Sequence, residues 1–231
     1  MTAKQENRFF AAMGLACLVF VLAGFAPSFY LRDAARPPLP SLFLVHGGIL
    51  TAWYLIAAAQ PLWIAAGRFS AHRALGAVGA VIAIGVVVSG LMAGADAFAR
   101  GVAIGDDPYA FFYLSVADAA FFAVFVIVAV AWRGRAHSHK RLMTIASISI
   151  TFPALARLMA WLGLDPILAA APYAALLAAI AAYDFVALRR LHPATLAGGG
   201  AAIAKLVSYL PVGGSALWRS LVDASGLAVE G

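Results

Sequence analysis

His46, Trp53 and Gln60 recur every seven residues in an otherwise apolar stretch. At about 3.6 residues per helical turn, that spacing puts all three on one face of a helix. A polar stripe of this kind turns toward the interior of a helix bundle. There it either walls a ligand site or bonds to a neighbouring helix. Gln60 suits the bonding role best, and His46 suits either. Asp118, Arg157 and Asp184 also lie inside apolar runs, with Lys205 a fourth in a weaker run. A charge in hydrocarbon costs about 2.5–3.5 kcal/mol even on the lenient scale, so each should pair or face a wet cavity. Counting depth along the runs brings His46, Asp118 and Arg157 close to one level. It predicts an Asp118–Arg157 ion pair beside His46. The ligand-facing candidates are therefore His46, Trp53, Gln60, Asp118 and Arg157. A second expected cluster, level with Gln60 toward the other end, consists of Arg68, His72, His139 and Asp184.

Paired histidines on neighbouring membrane helices are how membrane b-type cytochromes hold haem iron. His72 and His139 open two apolar segments at one level, so they are the expected pair for haem b. Both, however, sit at the edge of their segments inside a basic rim, where headgroup-facing histidines are ordinary. His46 has no second histidine at its own depth. Three functional readings follow. The first is a non-enzymatic accessory or assembly protein that binds a small apolar or redox ligand between its helices. The second is a haem-b electron carrier. The third is a small-molecule or ion transporter, for which only Pro153 and Pro172 hint at broken helices. No phosphate loop, H-E-x-x-H or nucleophile elbow occurs, so no catalytic residue is assigned. The lone Cys17 lies within an apolar run and supports neither a disulfide framework nor a thiolate metal cluster.

The elements that must position these residues follow from composition. Of 231 residues, 64% are hydrophobic and 11% charged, and the mean hydropathy is +0.93. A soluble domain is about one quarter charged, so lipid must cover much of this chain. A membrane helix needs about 20 apolar residues. Six segments qualify: approximately 9–31, 41–66, 73–94, 109–132, 141–163 and 166–188. A seventh, near 196–212, opens on Gly198-Gly199-Gly200, contains Lys205 and ends at Pro211. Residues 213–231 read as an amphipathic tail lying on the membrane surface. The expected fold is a single all-α transmembrane bundle of six to seven helices, with helices two to five as a four-helix core.

The formal charge of +6 comes from basic residues at segment ends rather than from one patch, which argues against nucleic acid and for membrane topology. Ten basic residues fall on the side of the N-terminus: Lys4, Arg8, Arg68, Arg73, Arg133, Arg135, Lys140, Arg141, Arg189 and Arg190. Arg32, Arg36 and Arg100 fall on the other, with Arg219 added if the seventh segment spans, and Asp96, Asp106 and Asp107 lie there too. The positive-inside rule then puts the N-terminus on the cytoplasmic side. A faint repeat is also present. At an offset of 67, His72-Arg73-Ala74-Leu75 aligns with His139-Lys140-Arg141-Leu142, and Leu91-Met92-Ala93 with Leu158-Met159-Ala160. Helices three and five should then run parallel, with His72 and His139 at matching depth.

The pattern His46…Gln60…Arg68…His72-Arg73-x-x-Gly76, then His139-Lys140-x-Leu142-Met143 and Arg157, resembles an uncharacterised family of bacterial predicted inner-membrane proteins. The closing Leu191-His192-Pro193-Ala194-Thr195 is similar to its alphaproteobacterial members. The resemblance covers roughly residues 10–212. It implies a small bundle of inner-membrane helices, and it brings no established activity or cofactor.

Overall fold

The computed structural model describes residues 3–102 and 107–228, so Asp106 lies outside the described residues. These form helices only: α1 (Ala3–Phe25), a π-helical turn (Ala26–Tyr30), α2 (Ser41–Ala65), α3 (Phe69–Ala99) and α4 (Pro108–Ala131). They continue with α5 (Ala136–Ser149), α6 (Phe152–Trp161), a 3₁₀ turn (Pro166–Ala169), α7 (Ala170–Leu188), α8 (Pro193–Val207), α9 (Tyr209–Gly213) and α10 (Ala216–Ala224). Five helices are long and apolar enough to cross a membrane, and α5 with α6 makes a sixth if that bent pair is one span. The fold is that of a polytopic all-α membrane bundle. Large apolar side chains such as Val81, Ile84, Ile127 and Val186 point outward, as lipid contact requires.

Helices α2 to α5 pack in sequence, and α1 joins them against α2, α5 and α6. Met13, Cys17 and Val21 of α1 share the central apolar cluster with Trp53, Phe122 and Ile145. The close approach of α1 to α6 depends on Gly24, where an added Cβ would lie 2.1 Å from the Ala154 carbonyl oxygen. The ends of the bundle differ in charge. Arg68, Arg133, Arg135 and Arg189 cluster at what we term the basic end, and Asp33, Asp96, Asp107 and Asp165 lie at the far end.

The expected single helix over 141–163 is broken, with α5 and α6 meeting at 42°. Pro153 explains the break. It has no N–H to give to the carbonyl four residues earlier, and its ring displaces that carbonyl, which belongs to Ser149. The supposed repeat is therefore uneven, since α3 runs unbroken for 31 residues. Both helices nonetheless start at the basic end.

The segment from Pro193 to Gly213 runs antiparallel to α4. Gly198 packs on Leu142 and Ile145, the Ser208 and Tyr113 hydroxyls are 2.7 Å apart, and Gly213 lies against Ala110. Trp218 donates its indole N–H to the Tyr109 carbonyl at 2.8 Å, and Val222 is buried against Phe98 and Phe112. This docks α10 on the far end of α4.

Candidate functional site

The polar stripe on α2 meets two cavities, one above the other. Trp53 and Gln60 face a cavity of about 710 Å³ toward the basic end. His46 faces a second, of about 310 Å³, toward the far end. Between them lies a closed layer. Trp53 donates to the Ser147 hydroxyl at 3.2 Å and packs edge-on against Phe122. The Tyr54 hydroxyl donates to the Ser147 carbonyl at 3.0 Å and lies 2.9 Å from the Thr151 hydroxyl. These partners exist because α5 is unwinding here, so its last carbonyls and hydroxyls are free to be bonded from α2.

The basic-end cavity contains His72 from α3 and His139 from α5. Their ring centroids are 6.5 Å apart and their planes are perpendicular, at 88°. His139 Nδ1 is 2.8 Å from the Ala129 carbonyl oxygen. A carbonyl only accepts, so Nδ1 carries a proton and donates it there. His72 Nδ1 and Gln60 Oε1 are buried without a hydrogen-bond partner among the described residues. Orphaned polar atoms of this kind are uncommon in native structures and call for a partner such as water, an ion or a ligand. The remaining wall is largely apolar, with Arg73, Arg133 and Lys140 among its lining residues.

The far-end cavity brings His46, Asp118 and Arg157 together, but the expected Asp118–Arg157 ion pair is not formed. Asp118 is bound by Lys205 instead, and the same ammonium donates to the Ser149 carbonyl. That carbonyl is the one that Pro153 released, so the break in the α5–α6 helix supplies the second acceptor for the buried cation. Depth along a helix was a sound guide to level. It could not say which way round each helix Asp118 and Arg157 turn. Arg157 turns toward α1, where its guanidinium lies 4.8 Å from the centre of the Phe25 ring and donates to its own helix's Pro153 carbonyl at 3.3 Å.

The second expected cluster also divides. His72 and His139 meet, but Arg68 is exposed beyond the end of α2 and does not line the cavity. Asp184 lies on the other side of α5, fully buried against Arg141 Nε at 2.9 Å. Glu6 completes that group, with Arg141 and Lys140 each 3.2 Å from its carboxylate. Arg141 was counted among the loop cations, yet it is fully buried. Its position one turn inside α5, facing the level of Asp184, was the available signal.

No protein-family model, curated protein or solved structure matches the chain.

Proposed function

We propose that the basic-end cavity holds one haem b, with His72 and His139 as its axial ligands, and that the protein is a membrane electron-transfer component. One observation carries this reading: two imidazoles from different helices line one largely apolar cavity with their ring centres 6.5 Å apart. His72 and His139 would hold the haem iron through their ring nitrogens. The bonding of His139 adds to it, because a metal-bound histidine characteristically gives its other N–H to a carbonyl. Arg73 and Arg133 are suited to the two haem carboxylates. Haem supplies one-electron chemistry when bound. The chain's own residues ligate it, hold its carboxylates and cover its apolar face. Trp53 and Tyr54, bonded to α5 between the two cavities, argue against the transporter reading. In this reading the basic end faces the cytoplasm, by the positive-inside bias.

Purification in a mild neutral detergent, followed by an optical spectrum before and after dithionite, tests this. The expected result is a Soret band with a sharp α-band on reduction, lost in both His72→Ala and His139→Ala and kept in His46→Ala. A wild-type protein that carries no haem and takes up none from added haemin would overturn it. Sidedness is checked by cysteine labelling at Ser138 and Ala34, which should be reachable from opposite faces.

A further inference from the structure

The far-end cavity has a charge problem that the rest of the fold does not solve. Two of the charged groups lining it are matched: Asp118 is held by Lys205, and Arg100 by Asp96. Arg157 has no carboxylate partner among the described residues. Arg157 is an exposed residue of α6, and the cavity is one of the spaces it lines. An unmatched cation at membrane depth costs several kcal/mol. One carbonyl from its own helix and one aromatic face offset only part of that.

His46 lines the same cavity and is oriented by its Nδ1, 3.0 Å from the Ser89 hydroxyl. Its Nε2 forms no hydrogen bond within the described residues. Much of the wall is aromatic, from Phe25, Phe29, Phe43 and Phe111. The site thus offers a planar two-pronged cation, a neutral polar ring beside it and apolar walls. A guanidinium fork matches carboxylate and phosphate oxygens in pairs.

We propose that the far-end cavity binds an amphiphilic anion, its carboxylate or phosphate on Arg157 beside His46 and its apolar body against the phenylalanines. At about 310 Å³ the cavity takes a head group and the start of a chain. The proposal is independent of haem at the other end.

The test uses purified full-length protein in neutral detergent, since an anionic detergent would compete. Oleate and methyl oleate are titrated by calorimetry. Phosphatidylglycerol and phosphatidylcholine are compared by native mass spectrometry. Wild type should prefer at least one anionic member of these pairs by about tenfold or more. Preference for oleate assigns a free carboxylate, and preference for phosphatidylglycerol assigns a lipid phosphate. Arg157→Gln should erase the preference at an unchanged melting temperature. Arg157→Lys, which keeps the charge and loses the fork, should retain a weakened preference, and it decides the matter if the Gln variant does not fold. Equal binding of charged and neutral members by wild type, or an undiminished preference in Arg157→Gln, overturns the proposal.

Discussion

The two cavities share α1 to α4 and differ in the helix that completes them, α5 at the basic end and α6 at the far end, yet they solve opposite problems. At the basic end the ligating candidates are imidazole rings, and the cations stand at the rim. At the far end Lys205 and Asp118 match one another inside the bundle, and Arg157, exposed where it lines the cavity, has no acid. The first arrangement suits a metal macrocycle, which needs lone pairs and apolar cover. The second suits an anion. What keeps them distinct is one layer of the bundle, in which the broken α5–α6 helix is bonded by Trp53 and Tyr54 from one side and by Lys205 from another.

The sharpest way to break that division is to strand one member of the buried pair. Lys205→Met leaves Asp118 and the Ser149 carbonyl without their donor. It should destabilise the protein by about 3–5 kcal/mol, the cost of an uncompensated buried charge. Thermal unfolding followed by tryptophan fluorescence measures it. The double variant Lys205→Met with Asp118→Leu should recover most of the loss. A double variant as unstable as the single would show that the pair does more than neutralise itself.

A smaller perturbation tests the layer directly. Trp53→Phe removes the bond to Ser147 while keeping an aromatic ring against Phe122. Interhelical bonds of this type contribute about 0.6–1.7 kcal/mol, so the loss of stability should fall in that range. If the layer separates the cavities, haem content and oleate binding should each stay within error of wild type.

The smallest expected effect is a pH dependence at the basic end, outside the spans. Burial and the neighbouring Arg141 hold the His192 imidazole below its ordinary value of 6.5. Its Nδ1 accepts the Ala194 N–H at 3.1 Å, capping α8, and can do so only when unprotonated. The unfolded chain therefore takes up a proton at higher pH than the folded one. The stability this cap contributes is full above about pH 6.5 and declines as pH falls through the lower folded value. His192→Asn, which keeps a capping acceptor without titrating, should flatten the melting temperature between pH 7 and pH 5 relative to wild type.

Most of the helix plan was legible because lipid imposes it. An apolar run of about 20 residues has few alternatives to a helix, and short connections make neighbours antiparallel. The pairing of His72 with His139 was legible for the same reason, since both open segments that start at one end. Less legible were α8 and the break at Pro153. The glycines and Lys205 weaken the 196–212 segment as a span, and nothing local says that its lysine will find an acid.

That the chain is helical, where its apolar runs lie, and which polar residues share a level in the bundle can all be read from the order of residues. Rise per residue and the cost of bare backbone in hydrocarbon act locally, so they can be read along one strand of text. The tertiary structure alone decided partners: Lys205 rather than Arg157 for Asp118, Arg141 rather than the histidines for Asp184, and a cation left over beside His46. A partner depends on the rotation of each helix about its axis. That rotation is set by close contacts such as Gly24 on Ala154 and by the carbonyl that Pro153 frees, which belong to pairs of helices and to neither sequence alone.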